Sequence, residues 1–269
     1  MKIKPGQESL SREWLREAYV GEYASGKSEV AVNRALMLYK EGRRPVTLVD
    51  FDLVEPFYTL RPIKKELEEK GIKVLAWETI KTMGLGEAGN LLKPDIRWAL
   101  QREGDIIIDV GYGVGGLAKL RLLADPADSD GDGIDEDEHK RGGNGKDNCC
   151  NNNGDRGGDA GIGAKGELKI YAVINIARPL TGSVEAIVEY VRSLGPQVQG
   201  LINNSHWGDE TEARIINYGA EIVTEAAKAL GLPVIWTTAD KKFRGQIGDF
   251  DRYGHPVFYL ERFMQRAFW

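Results

Sequence analysis

The sequence contains few cysteines and no long apolar run. Its only two cysteines, Cys149 and Cys150, are adjacent, which argues against a disulfide framework and is typical of a reducing compartment. No stretch of about eighteen apolar residues occurs, and no basic segment followed by an apolar one is found near the beginning. Neither a membrane-spanning helix nor a signal peptide is therefore indicated, and we expect a cytoplasmic protein.

A basic surface is also lacking. The formal net charge of −5 is concentrated in residues 125–166, which carry −6 and leave the rest of the chain at about +1. A nearly neutral body offers no electrostatic basis for binding nucleic acid, which favours a basic face. Residues 125–166 are rich in Gly, Asp and Asn and contain no Leu, Val or aromatic residue. We interpret them as a surface insertion, unable to order itself by apolar burial, in a single domain spanning residues 1–269.

Within the insertion, acidic residues recur in the sequence DSDGDGIDEDE. Asp128, Asp130 and Asp132 stand at alternating positions before a glycine, a spacing that resembles calcium loops of the thrombospondin type 3 and EF-hand kinds. His139 occupies the twelfth position, where an EF-hand loop has its bidentate glutamate. Two interpretations stay open for these aspartates: a Ca²⁺ site, and solvated disorder.

The strongest functional signal is the sequence GEYASGKS at residues 21–28, which has the spacing of a phosphate-binding loop. Gly21 and Gly26 would let consecutive backbone amides point at a polyphosphate, and a helix starting near Lys27 would add its positive end. Lys27 would reach the β- and γ-phosphates in catalysis, and Ser28 would bind Mg²⁺. The alternative is a glycine turn without function. The residues predicted to line the nucleotide here are Gly21, Glu22, Tyr23, Ala24, Ser25, Gly26, Lys27, Ser28 and Glu29.

Two apolar segments, at residues 45–52 and 105–116, carry acidic residues where a strand should end. A buried parallel strand delivers such carboxylates to the edge of the sheet where ligands bind. We predict that Asp109 holds Mg²⁺ and that Asp52 faces the Mg²⁺ or the attacking water, with Asp50 a second candidate. The alternative is that these acids cap turns. The glycines after Asp109 are predicted to be either turn residues or a segment that senses the γ-phosphate.

Apolar β-rich segments alternate with segments of helical periodicity along the chain. This alternation predicts an α/β fold with a mostly parallel β-sheet and helices on both faces. The first strand, at residues 15–20, is the weakest of the set because Arg16 and Glu17 are poor residues for a strand buried on both faces. The other predicted strands are residues 45–52, 72–77, 105–109, 169–174, 198–202 and 233–237, and the predicted helices are 27–41, 63–70, 94–104, 182–193 and 212–230.

With these motifs, the chain resembles the P-loop ATPases that include the MinD and ParA positioning ATPases, the nitrogenase iron protein and the CobQ/CobB-type enzymes. The resemblance covers residues 19–240 apart from the insertion and rests on GEYASGKSE, VTLVDFDLVEP and IIIDVGYGVGG. GLINNS is similar to the strand end whose Asn recognises adenine in the iron protein, and TTAD to the segment that closes over the base. The resemblance implies a three-layer, Rossmann-like P-loop NTPase fold. The base contacts that it implies are Asn203, Asn204 and Asp240.

The resemblance further implies a Mg²⁺-dependent ATPase whose hydrolysis of ATP changes its shape for a protein or small-molecule client. Glu22 stands where the positioning ATPases have a lysine that reaches across a nucleotide-sandwiched dimer, so a homodimer is left open without that lysine. No NKxD motif follows the later strands, which favours ATP over GTP. Two other functions stay open: a small-molecule kinase or ATP-dependent ligase with a pocket beside residues 82–90, and a non-enzymatic calcium-responsive scaffold.

The last segment, FYLERFMQRAFW at residues 258–269, has the pattern of an amphipathic helix. MinD ends in a membrane-seeking helix, but Arg262 and Arg266 are few basic residues for that role. Packing on its own domain is the favoured interpretation, and membrane association through this segment is the alternative. We interpret His206 and His255 as structural rather than catalytic residues.

Overall fold

The computed structural model contains one parallel sheet and describes residues 13–51, 60–76, 98–111, 113–124 and 167–264. The strands in these ranges are β1 (Arg16–Gly21), β2 (Val46–Phe51), β3 (Lys73–Leu75), β4 (Asp105–Val110), β5 (Leu168–Ile174), β6 (Val198–Asn203), β7 (Val234–Asp240) and β8 (Val257–Leu260). They pair in the order β3-β2-β4-β1-β5-β6-β7-β8, and every neighbouring pair is parallel. The predicted α/β fold is confirmed.

Helices cover both faces of the sheet. They are α1 (Lys27–Lys40), α2 (Lys64–Glu69), α3 (Gly113–Ala124), α4 (Val184–Leu194), α5 (Ala213–Leu230) and α6 (Arg244–Ile247). Apolar residues of α1 and α2 pack on one face in a cluster that includes Tyr19, Leu48 and Ile107. Apolar residues of α3, α4 and α5 pack on the other face with Ala18 and Ile108. In the ranges that the structure describes, no helix is both long and apolar enough to cross a membrane.

The two charged residues of β1 are buried with partners that satisfy them. Arg16 is 1% exposed, and its guanidinium donates to three backbone carbonyl oxygens of residues 100–104 at 2.6–3.3 Å. Glu17 accepts two hydrogen bonds from Arg34 of α1, at 2.7 and 2.8 Å, and a third from the Tyr19 hydroxyl at 2.7 Å. Buried charges are tolerated when their hydrogen-bonding groups are paired. The weakest predicted strand is therefore an interior strand, and its carboxyl end leads into the phosphate-binding sequence.

The end of the described chain contains a strand where the sequence predicted a helix over residues 258–269. β8 pairs with β7, and Phe258 packs on Trp236 with ring centroids 5.3 Å apart. Glu29 of α1 accepts the backbone N–H groups of Phe263, at 2.9 and 3.0 Å, and of Met264, at 2.6 Å. The predicted helix is therefore wrong for the described part of this segment, because sheet pairing and α1 take the backbone groups that a helix would use.

Several predicted features lie outside the described residues. They are Asp52, the loop at residues 82–90, residues 94–97 of the helix predicted at 94–104, the insertion at residues 125–166 with Asp128, Asp130 and Asp132, and residues 265–269. The described residues 98–104 contain a short 3-10 turn, Ala99–Gln101, and no α-helix, so the predicted helix is wrong there. The single-domain organisation, the role of Asp52 and the Ca²⁺ site remain predictions.

Candidate functional site

Residues 21–28 form a tight loop that joins β1 to α1, as the sequence predicted. The backbone of Ala24 has φ of 56° and that of Gly26 has φ of 82°, so the loop makes two left-handed steps before the helix begins. Val30 is the first residue of α1 whose amide bonds back into this segment, to the Gly26 carbonyl at 3.1 Å. The amides at the start of α1 consequently have no intrahelical acceptor and, together with the helix dipole, favour an anion.

The loop requires both of its glycines. A Cβ at Gly21 would lie 2.4 Å from Ser25 Oγ and 2.7 Å from the Val173 carbonyl oxygen of the neighbouring strand β5. A Cβ at Gly26 would lie 2.2 Å from Asn204 Nδ2, on a backbone whose positive φ already disfavours a side chain. The close contacts show that the loop is held against β5 and β6 at a separation that only glycine permits.

Asn204 braces the loop from the carboxyl end of β6. Its Nδ2 donates to the Ser25 carbonyl oxygen at 2.6 Å, and its Oδ1 accepts from the Thr238 hydroxyl at the end of β7. Ser25 and Asn204 are both buried. The phosphate-binding sequence is thus aligned by a side chain that is 179 residues away in the chain.

Glu22 ties the other side of the loop to the 3-10 turn after β5, Pro179–Thr181. One carboxylate oxygen of Glu22 accepts from the Leu180 amide at 3.1 Å and from the Thr181 hydroxyl at 3.3 Å. Burial raises the pKa of this carboxyl, although these hydrogen bonds and the charge of Arg178 oppose the shift. Glu22 is therefore engaged within its own chain.

Two carboxylates stand side by side at the ends of β2 and β4. In the parallel register, Asp109 of β4 lies between Asp50 of β2 and Tyr19 of β1. Tyr19 is two residues before Gly21, where the loop begins. Asp50 has no exposed surface and Asp109 is 1% exposed. Both share the sheet face that α1 covers, since Ile107 two residues before Asp109 packs against α1.

The side chains near the ends of β2 and β4 include oxygen donors of the kind that a hard divalent cation binds. Mg²⁺ favours one or two carboxylates together with phosphate oxygens and water rather than a cage of protein ligands. Asp109 and the half-buried Ser28, in the first turn of α1, supply oxygen donors of that kind. Among the described residues, no group of three or more His, Cys, Asp or Glu side chains could hold a metal. A metal here would therefore depend on the phosphates of a ligand for its remaining oxygens.

The glycines after Asp109 lie at the start of a helix. Gly111 directly follows β4 and is buried. α3 begins two residues later, at Gly113. Gly111 itself donates its amide to the Phe51 carbonyl oxygen at 3.3 Å, which links the ends of β4 and β2. Whether these glycines sense a phosphate remains a prediction.

An open cleft lies beside the loop at the carboxyl ends of β6, β7 and β8. It has a volume of about 620 Å³, including the part that opens to solvent. Four residues from the predicted nucleotide site line it: Gly26, Glu29, Asn204 and Asp240. Asp240 is half-buried, and one of its carboxylate oxygens accepts from the Lys242 amide at 2.9 Å. The cleft is contiguous with the phosphate loop through Gly26, and its volume is within the range of small-molecule sites.

Asn203 lies behind this cleft rather than in it. It has no exposed surface; its Nδ2 donates to the Ile216 carbonyl oxygen at 3.1 Å and to the Thr237 hydroxyl at 3.3 Å. Its Oδ1 accepts from the amide and the hydroxyl of Ser205, at 3.2 and 2.7 Å. A base contact by Asn203 stays a prediction and would require it to exchange these bonds.

The two histidines singled out in the sequence occupy different places. His206 lines the cleft, and burial, followed by the positive charges of Arg178 and Arg262, lowers its pKa to about 4. It is therefore neutral at pH 7, and its Nδ1 accepts from the Gly208 amide at 3.2 Å. His255 lies 3.0 Å from the Thr224 hydroxyl and is not part of the cleft lining.

Some contacts of this site have no signal in the sequence. Glu29 was expected at the nucleotide, yet its carboxylate holds the amides of Phe263 and Met264. Asn33, one turn later on α1, exchanges hydrogen bonds with the backbone of Glu261 at 2.8 Å in both directions. Because these partners are more than 220 residues apart, only the folded chain reveals them.

No protein-family model matches the sequence, and no curated protein matches it. Solved structures resemble the fold at low identity. The cell division protein FtsY of Thermotoga maritima has 16% identity and a TM-score of 0.45 over 82% of this chain and 60% of its own. FtsY of Mycoplasma mycoides has 12% identity and a TM-score of 0.46 over 83% of this chain and 59% of its own.

A nucleotide-binding protein of Archaeoglobus fulgidus, solved in complex with ADP, has 14% identity and a TM-score of 0.42 over 86% of this chain and 84% of its own. The matched region spans about three fifths of the length of the two FtsY chains. Because these identities and TM-scores are low, the fold rests on the strand order and on the geometry of the loop between β1 and α1.

Proposed function

We propose that the protein binds ATP at residues 21–28 and hydrolyses it to ADP and phosphate with Mg²⁺. The observation that supports the proposal most strongly is the geometry of the loop. Gly21 and Gly26 pack where no side chain fits, and the amides that begin α1 have no intrahelical acceptor. A glycine loop of this shape at a helix N-terminus favours a phosphate chain.

Each predicted residue then has a role in phosphoryl transfer. Lys27, which is 8% exposed, would donate charge-assisted hydrogen bonds to the β- and γ-phosphates. Ser28 and Asp109 would hold Mg²⁺, which would supply positive charge at the phosphate oxygens. Asp52 would orient the water that attacks the γ-phosphorus in line with the departing ADP. The loop amides and Lys27 would stabilise the charge that develops on the transferred group.

The base would lie in the cleft beside the loop. Asn204 and Asp240 line this cleft and offer amide and carboxylate groups to a purine. The absence of an NKxD sequence favours adenine over guanine as the base. Because Asn204 also braces Ser25, base binding and loop alignment would share one side chain.

Hydrolysis would act as a switch for a client, as in the MinD and ParA positioning ATPases. The ends of β2 and β4, linked by the Gly111–Phe51 hydrogen bond, and the start of α3 would surround the γ-phosphate, so loss of that phosphate would release contacts there. Glu22 is engaged with Leu180 and Thr181 of its own chain. A homodimer would therefore form without a side chain reaching across from this position.

The test is ATP binding and turnover by the wild type, Lys27→Ala and a matched control, Lys228→Ala. Lys228 is exposed in the last turn of α5, so its loss changes net charge equally without touching the loop. We expect Lys27→Ala to weaken Mg²⁺-dependent binding of ATP by about 10- to 100-fold, the range for hydrogen bonds to charged groups, and to abolish turnover.

Far-ultraviolet circular dichroism should show that both variants retain the fold. Undiminished turnover in Lys27→Ala would overturn the proposal, as would the absence of nucleotide binding in the wild type. Binding and turnover of GTP, measured in parallel, show whether the site prefers adenine or guanine. Turnover that occurs only when a small metabolite is added would instead favour the kinase or ligase function.

A further inference from the structure

The chain that follows β8 forms part of the cleft beside the phosphate loop. Leu260, the last residue of β8, lines the cleft together with Glu261 and Arg262. The other lining residues belong to the start of α1 and to the segments that end or follow β6 and β7. We call residues 261–264 the wall segment. Its position relative to these other elements determines the shape of the cleft.

Two side chains of α1 hold the wall segment by its backbone. Glu29 Oε1 accepts from the amides of Phe263, at 2.9 Å, and Met264, at 2.6 Å, and its Oε2 also accepts from Phe263, at 3.0 Å. Asn33 donates to the Glu261 carbonyl oxygen and accepts from the Glu261 amide, both at 2.8 Å. Glu29 and Asn33 are only 9% and 7% exposed, so water competes little for these bonds.

The same helix begins at the phosphate loop. Glu29 directly follows Lys27 and Ser28, which we propose to bind the phosphates and Mg²⁺. Asn33 lies one turn further along α1 and is not part of the cleft lining. The turns of a helix are joined by backbone hydrogen bonds and move together. α1 therefore keeps the phosphate loop and the wall segment at a constant separation.

The Glu29 carboxylate is suited to this role and not to contact with a phosphate. Both of its oxygens accept backbone amides of the wall segment, and its negative charge would repel a phosphate oxygen. Burial raises the pKa of this carboxyl, whereas the amides of Met264 and Phe263 and the charge of Arg262 oppose the shift. The wall segment thus stabilises the charged form of the side chain that holds it.

The ion pairs of the wall segment lie at the surface in the part of the chain that the structure describes. Glu261 pairs with Lys241, and Arg262 pairs with Asp209. The side chains of Lys241 and Asp209 are 53% and 89% exposed. Exposed ion pairs contribute little to stability. The buried hydrogen bonds to α1 are therefore the main polar anchors of the wall segment.

We propose that Glu29 and Asn33 are positioning residues for nucleotide binding, which fix the wall segment where the base enters the cleft. The inference rests on the proposed function, namely that residues 21–28 bind the phosphates and that the cleft takes the base. A wall that is fixed in advance need not be ordered when the base binds. Its release should therefore weaken binding of a nucleotide without weakening binding of a phosphate chain alone.

Isothermal titration calorimetry with Mg²⁺ present measures binding of ATP and of inorganic tripolyphosphate, which has no base. The variants are Glu29→Ala, Glu29→Gln and Asn33→Ala, and Glu189→Ala is the control, because Glu189 is exposed on α4. We expect Glu29→Ala and Asn33→Ala to bind ATP about tenfold more weakly, the cost of ordering about one residue on binding. Glu29→Gln should fall between Glu29→Ala and the wild type, because its amide oxygen still accepts a backbone amide.

Tripolyphosphate should bind every variant no more than about twofold more weakly than it binds the wild type. Met264 also packs in the apolar cluster beside α1, so the variants should retain the fold, which circular dichroism checks. If Glu29→Ala does not fold, Glu29→Gln and Asn33→Ala decide the question.

Two results would overturn the inference and leave the proposed function standing. One is ATP binding by the folded variants within about twofold of the wild type, and the other is an equal loss of affinity for ATP and for tripolyphosphate. A wild type that binds neither ligand would overturn the proposed function and this inference with it.

Discussion

The Asn204 brace of the phosphate loop is removed by one substitution, Asn204→Ala. In the folded chain, Asn204 Nδ2 donates to the Ser25 carbonyl oxygen at 2.6 Å, and Ser25 has no exposed surface. Alanine leaves that carbonyl without its donor. The Thr238 hydroxyl, which also bonds Asn204, keeps an acceptor in the Asn203 carbonyl oxygen at 3.2 Å. The cost therefore comes mainly from the Ser25 carbonyl and from the cavity left behind.

The magnitude follows from these two contributions. An unsatisfied buried acceptor costs about 1–3 kcal/mol, and the small cavity adds about 1 kcal/mol. We expect a loss of about 2–4 kcal/mol in the free energy of unfolding. For a chain of 269 residues, each kcal/mol lowers Tm by about 2–4 °C, so the expected shift is about 4–16 °C. ATP affinity should also fall, by about tenfold, because Ser25 no longer fixes the alignment of the loop amides.

Thermal unfolding followed by circular dichroism measures the effect against Asn217→Ala. Asn217 is partly exposed on α5, so its substitution should change stability by no more than about 0.5 kcal/mol. Adding Thr238→Val to Asn204→Ala should cost less than the sum of the two single changes, because the bond between them is already lost. If Asn204→Ala unfolds within about 1 °C of the wild type, the Asn204 contact does not stabilise the loop and the reasoning is refuted.

Two further predictions concern the surroundings of the cleft. Glu29→Ala removes the acceptor of the Phe263 and Met264 amides, and their hydrogen exchange should accelerate about tenfold; unchanged exchange would contradict the anchoring role. The pKa of His206 is about 4 in the folded chain against 6.5 unfolded, so its contribution to stability is complete above pH 6.5 and is lost as the pH falls through 4. Between pH 6.5 and 4, the wild type should lose at most about 3 kcal/mol of its free energy of unfolding through His206, and His206→Asn should not show this loss. If the free energy of unfolding falls equally with pH in the wild type and the variant, His206 is not the cause.

The loop and the strands around it could be predicted because their signals are local. Binding a phosphate chain requires glycines, a lysine and a serine at neighbouring positions, so residues 21–28 carry the whole pattern. Buried parallel strands are short apolar runs, and the acids that follow them mark the ligand edge of the sheet. Asp50 and Asp109 were recognised in this way, but only the strand register shows that they are neighbours.

The predictions that failed concern segments whose hydrogen-bond partners are far away in the sequence. Periodicity over residues 258–269 indicated a helix, whereas β7 and Glu29 bond the backbone of the described part of this segment. Arg16 and Glu17 looked unsuited to an interior strand because the carbonyls and the arginine that satisfy them come from other elements. Intrinsic preferences of short segments are weak, and tertiary contacts override them.

The sequence by itself determined the alternation of strands and helices, the parallel sheet and the place of the phosphate-binding loop, since each follows from adjacent residues. Only the tertiary structure decided which side chains serve that loop: Asn204 braces it, and Glu22 fastens it to the turn after β5. The physical reason is that the carboxyl ends of parallel strands meet at one edge of the sheet, where residues far apart in the chain come within hydrogen-bonding distance.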